Sequence, residues 1–196
     1  MLFHSYLEML LGSKVKVTVL RTLWKFKEKE FTIRELAQFL EISHTGVRKV
    51  LRDFEKMNVL SIRTIGRSYA FKLNTKSYGY SIVEKLFEME ENTLLELKKM
   101  LNKGLGVPSV ISAALFGSIV QRKEAPLSDI DLLIVTQKKE NVEGIVAELQ
   151  KEVSEKFGNS ISAYYVNEED LQKRREQSPI KQAVQNHMLI CGRPLE

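Results

Sequence analysis

Two carboxylates two positions apart, Asp129 and Asp131, follow a Gly117-Ser118 pair with ten residues between Ser118 and Asp129. Along an extended segment side chains alternate between faces, so both carboxylates project from one face, roughly 7 Å apart. Like charges at that separation repel unless a cation lies between them. Hard carboxylate oxygens suit Mg²⁺ that is shared with the phosphates of a substrate. Gly117 lets the backbone turn tightly and approach a ligand closely. Ser118 adds a hydroxyl at the start of an expected short helix, where backbone amides favour phosphate. Taken singly, an Asp after Pro126 and Ser128 is ordinary turn chemistry. It is the conjunction of Gly-Ser with Ser-Asp-x-Asp that points to a site.

The elements that must hold these residues are two apolar runs, Val110 to Phe116 and Leu132 to Val135. Both are short and contain β-branched residues, so they are expected to be strands bracketing a turn and a short helix. This order resembles the minimal nucleotidyltransferase domain of the DNA polymerase β-like superfamily. The resemblance implies that Gly117 and Ser118 hold the phosphates of a nucleoside triphosphate, and that Asp129 and Asp131 are catalytic residues binding one or two Mg²⁺ ions. Two departures stand out. Small members carry Arg-Gly four and five residues after the first Gly, where this chain has Gln121 and Arg122. Arg122 or Lys123 is still expected to add positive charge beside the nucleotide. A third carboxylate belongs on a later strand, but the expected strand Ser160 to Val166 holds no acid, and Ser162 or Ala163 occupies the approximate place. Turnover therefore stays open at this level, while the fold and phosphate pocket are expected.

The chain has 196 residues, 43% hydrophobic and 28% charged, enough for one large or two small soluble domains. Its single cysteine, Cys191, excludes an internal disulfide and fits a reducing cytosol, so a cytoplasmic location is expected. No stretch has the length and apolarity of a membrane span, and the N-terminus lacks the pattern of a signal peptide. No Cys/His spacing suits zinc. The net charge of +5 is uneven: residues 1–78 hold 15 Lys/Arg against 7 Asp/Glu, whereas residues 79–196 hold 15 against 18. The basic half is the one expected to face a polyanion.

Within that half, Ser13, Thr32 and Ser43 each precede an apolar helical pattern as an N-cap, and Glu35 completes a capping box with Thr32. Val47, Val50, Leu51 and Phe54 form the stripe that the third of these helices must bury. Two strand patterns, Val59 to Ile65 and Ser68 to Leu73, meet at Gly66-Arg67, a tight hairpin turn. Helix, helix, turn, helix and hairpin resemble the winged helix-turn-helix of small prokaryotic regulators. That resemblance implies double-stranded DNA as a partner, with the third helix in the major groove. Its candidate contacts are His44, Thr45, Arg48, Lys49 and Arg52, joined by Arg63, Arg67 and Lys72 of the hairpin. Arg48 is the candidate for reading guanine, because its fork matches the O6/N7 pair. Winged helices also serve as protein-docking modules.

Ser81 to Lys103 lacks Gly and Pro and is expected to be one long helix, or two with a break near Asn92. Its wide apolar stripe fits either a homodimer or packing against both domains. Further on, the periodicity predicts a helix over 141–157, a strand over 160–166, a helix capped by Asn167 and a last helix over 179–190. The fold class is thus α+β: a winged helix-turn-helix over 1–78, a helical connector over 79–105, and an α/β nucleotidyltransferase fold with a small mixed sheet over 106–196. The expected activity is Mg²⁺-dependent transfer of a nucleoside monophosphate to an acceptor. The alternative is a regulator whose nucleotidyltransferase fold is a nucleotide sensor or docks a protein partner, since small domains of that superfamily also occur as antitoxins.

Overall fold

The computed structural model describes residues 5–195 and divides into two compact units, one up to Asn92 and one from Thr93 onward. The first contains α1 (Tyr6–Leu11), α2 (Lys14–Lys25), β1 (Phe31–Thr32), α3 (Ile33–Leu40), α4 (His44–Lys56), β2 (Leu60–Ile65) and β3 (Ser68–Leu73). Side-chain caps start three of these helices. Ser13 accepts from the Lys16 amide, Ser43 from the Gly46 amide, and Thr32 exchanges bonds with Glu35 in a full capping box. Such caps satisfy amide groups that have no partner within the helix.

Val47, Val50, Leu51 and Phe54 bury one side of α4 among α2, α3 and the sheet, in a core with Leu20, Leu23 and Leu36. The hairpin β2–β3 turns at Gly66, whose φ of 59° suits glycine. Phe31 and Thr32 add a third antiparallel strand beside β3, giving the order β1-β3-β2. The sequence pattern did not predict β1, because two residues are too few for alternation to register. Helices α2, α3 and α4, with β1 between the first two and the β2–β3 hairpin after the last, form the winged helix-turn-helix arrangement.

Helix α5 (Tyr78–Leu105) runs unbroken through Asn92. It begins before Ser81 because the Ser77 hydroxyl accepts from the Tyr80 amide and serves as its cap. Tyr80, Val83 and Phe87 pack in the first unit's core, and Leu97, Leu101 and Leu105 in the second's.

The second unit continues with β4 (Ser112–Leu115), α6 (Ser118–Gln121), β5 (Ile130–Val135), α7 (Glu140–Phe157), β6 (Ile161–Val166), α8 (Glu168–Lys173), α9 (Ile180–Gln185) and β7 (Met188–Gly192). The sheet is mixed, in the order β6-β5-β4-β7, with β5 and β6 parallel and the other pairs antiparallel. Strand alternation divides the core. Leu115, Ile130, Leu132 and Ile134 pack with α7 and the end of α5, whereas Ala114, Phe116, Leu133 and Val135 pack with α8 and α9.

One expectation is corrected here. The helix predicted over 179–190 stops at Gln185, and Met188–Gly192 is a strand beside β4. Met188, Leu189, Cys191 and Gly192 pair along β4's outer edge, which a helix would leave open, while Ile190 bulges between them and accepts from the Asn102 side chain. Among the described residues no helix is long and apolar enough to cross a membrane.

Candidate functional site

Strand β4 ends where Phe116 donates its amide to the Asp131 carbonyl, and the chain then turns at Gly117. Gly117 has φ 72° and ψ −145°, a conformation essentially reserved for glycine. It also lies against Asp131: a Cβ on Gly117 would overlap the Oδ2 atom of that carboxylate. Ser118 opens α6, which lasts one turn before Arg122 closes it in the left-handed region with φ 56°. That is the position at which the resembling family has glycine, so Arg122 adopts a backbone shape that costs an L side chain energy.

Asp131 is half-buried on β5, while Asp129, just before the strand, is exposed. Burial pushes the Asp131 carboxyl above the usual carboxylate range, and the neighbouring charge of Asp129 adds to the rise. The parallel register sets Asp131 opposite Ser162 of β6. Of the two positions considered for a third carboxylate, Ser162 is therefore the one beside Asp131. Ala163 points to the opposite face, into the core with α7. Ser160 donates its hydroxyl to Asp129 Oδ1, and Asn159 donates to the Ser128 carbonyl at 2.9 Å, tying the loop before β5 to the turn before β6. The sequence pattern missed Ser160, because only the strand register places it opposite Asp129.

Two carboxylates, two serine hydroxyls and the tight Gly117 turn form the donor set. Among the described residues no group of three or more His, Cys, Asp or Glu could cage a metal. The set fits Mg²⁺ only as that ion is commonly held, by one or two carboxylates together with substrate phosphates and water.

In the first unit His44, Thr45, Arg48, Lys49 and Arg52 are all exposed on α4, and Arg67 is exposed at the hairpin tip. The remaining hairpin cations are differently placed. Arg63 pairs with Glu30 at 2.7 Å and Lys72 with Glu28 at 3.1 Å, so both face carboxylates of the turn before β1.

The family described as Polymerase beta, Nucleotidyltransferase matches residues 96–192. No curated protein matches this sequence. Among solved structures the chain is similar to NolR from Sinorhizobium fredii, with 16% identity, 45% of this chain and 81% of that chain covered, and a TM-score of 0.37. It is similar to a MepR mutant from S. aureus bound to oligodeoxyribonucleotide, with 23% identity, 46% and 68% covered, and a TM-score of 0.37. It is also similar to a toxin-antitoxin with AMP-PNP, with 21% identity, 49% and 73% covered, and a TM-score of 0.35. Each likeness covers half of the chain or less. The winged-helix description rests on the strand and helix order itself.

Proposed function

We propose that this chain, whose residues 96–192 form a polymerase β-type nucleotidyltransferase domain, binds duplex DNA through its first unit and a Mg²⁺-nucleoside triphosphate through its second. The observation that carries the second half is the contact of Asp131 with Gly117 of the Gly-Ser turn, with the charge of Asp129 beside Asp131. Mg²⁺, when bound, neutralises triphosphate charge and polarises the phosphorus that accepts the nucleophile. Asp129 and Asp131 would hold that ion, Gly117 would admit the phosphates close to the backbone, and Ser118 would offer a hydroxyl and an amide. Arg122 supplies positive charge from the end of α6. The reaction is transfer of a nucleoside monophosphate to an acceptor with release of pyrophosphate.

A second reading, a nucleotide sensor or protein-docking module without turnover, is favoured by one observation: Ser162 stands beside Asp131 where a third carboxylate would activate the acceptor.

Titration of a nucleoside triphosphate into wild type and Asp129→Asn, each with Mg²⁺ and with a chelator, tests the site. Binding is expected only for wild type with Mg²⁺. Equal or absent binding in all four mixtures removes the nucleotide site, and binding without a transfer product selects the sensor. The DNA half predicts duplex binding that weakens steeply with salt, as phosphate neutralisation requires.

A further inference from the structure

A cavity of about 490 Å³ lies in the first unit, between α4 and the β2–β3 hairpin. Its floor is apolar and comes from Leu51, Ile62 and Phe71, of which Leu51 and Phe71 are buried. Tyr69, 58% exposed, forms part of the wall. Arg48 and Arg52 line the same space from positions one helical turn apart on α4. Against these two guanidinium groups the lining carries a single acid, Glu55, so the cavity keeps an excess of positive charge. Among the described residues neither Arg48 nor Arg52 makes an ion pair, in contrast to Arg63 and Lys72 of the hairpin.

A concave site of this volume, with an apolar floor and a few convergent polar groups, suits a small organic ligand. Aromatic walls favour a flat ring. A guanidinium binds a carboxylate through two parallel hydrogen bonds, and two such groups at one mouth select for an anion. We propose that this cavity binds a small aromatic carboxylate, its ring against Tyr69 and Phe71 and its charge on Arg48 and Arg52. Because the same two residues are the proposed DNA contacts, the ligand competes with DNA. That competition rests on the DNA reading above, whereas the binding itself does not.

The probe is 2-naphthoate, which carries no phosphate to engage the second unit. Calorimetry on the full chain is expected to show saturable one-site binding, weakened at least about tenfold in Arg48→Ala and in Arg52→Ala, since each removes a charged hydrogen-bond donor. The neutral methyl ester is expected to bind more weakly by a similar factor. Both arginines are exposed, so the variants should fold; circular dichroism checks this, and Ile62→Trp, which fills the cavity without touching the charges, should also abolish binding. No saturable binding, or equal affinity in wild type and both arginine variants, overturns the site. With a labelled duplex, 2-naphthoate should raise the apparent Kd for DNA. A ternary complex with unchanged DNA affinity overturns the competition. A chain that binds 2-naphthoate but no DNA overturns the DNA reading and the competition with it, and supports the site.

Discussion

Gly117 and Asp131 touch across the turn that joins β4 to α6: the face of Gly117 where a side chain would grow is occupied by the Asp131 carboxylate. The glycine of the Gly-Ser pair therefore does more than bend the chain. It allows the second carboxylate to stand directly beneath the backbone on which a phosphate would rest. Its φ of 72° and ψ of −145° reinforce the same requirement.

Gly117→Ala is accordingly expected to destabilise the second unit by roughly 1–3 kcal/mol, the scale of a residue forced into a glycine-only conformation. Displacement of Asp131 should also abolish Mg²⁺-dependent nucleotide binding. Denaturant unfolding and a nucleotide titration check the two effects; an alanine variant as stable as wild type would contradict the observed contact.

Asp131 makes stability depend on pH. Its folded-state carboxyl is raised, by burial first and by Asp129 second. A raised carboxyl disfavours the ionised form in the folded protein, so its stabilising contribution is full below the unfolded value, about 3.9, and is lost as pH rises through the folded value. Asp131→Asn should therefore melt higher than wild type at neutral pH, with the advantage shrinking as the pH approaches the unfolded value. Thermal melts across that range measure it, and a constant difference at all pH values would rule out titration of Asp131 as the cause.

Much of this was legible because it is local. The caps at Ser13, Thr32, Ser43 and Asn167 lie within three residues of the amides they satisfy. The Gly66 hairpin and the two strands around the Gly-Ser turn follow from composition over a few residues. The parts that were not legible depend on pairing between distant segments. Strand β7 exists because β4 has an open edge, and neither local propensity nor periodicity reports that. Ser160 meets Asp129, and Ser162 meets Asp131, only through the register of β5 and β6. The strain at Arg122 was foreshadowed by its place in the motif but needed φ to be seen.

That strain gives a prediction of its own. Arg122→Gly relieves a left-handed conformation that costs an L residue roughly 1–2 kcal/mol, offset in part by the greater freedom of glycine in the unfolded chain. A small gain in stability is expected, together with weaker triphosphate binding if the guanidinium serves the phosphates. Unchanged nucleotide affinity would remove Arg122 from the site.

Among the described residues, the proposed DNA face separates into cations with and without an ion-pair partner. Arg48→Ala should cost about 1–3 kcal/mol on a preferred duplex and relax the preference, whereas Arg67→Ala should weaken all sequences alike and lower the salt slope by about one. Arg63 is already engaged with Glu30 at 2.7 Å, so Arg63→Ala should cost less than Arg67→Ala. Gel shifts over a range of salt concentrations measure all three. No loss of affinity in a combined Arg48/Arg67 variant would exclude DNA as the partner of this face.

The last prediction tests whether Ser162 is what separates binding from turnover. Its place opposite Asp131 in the parallel register means that Ser162→Asp would put a third carboxylate on the same face as Asp129 and Asp131. Without a cation, three like charges in so small a space should lower stability by a few tenths to about 1 kcal/mol, as like-charged neighbours on a sheet do. Mg²⁺ should reverse this, because the added oxygen ligand strengthens a site that otherwise relies on two carboxylates and phosphates. The melting temperature of Ser162→Asp should therefore fall below that of wild type in chelator and rise more than that of wild type on adding Mg²⁺. If wild type binds triphosphate without consuming it, the variant is also the one expected to release pyrophosphate. An equal Mg²⁺ response in the two proteins would mean that Ser162 does not face the metal position, and the missing carboxylate would no longer explain an absence of transfer.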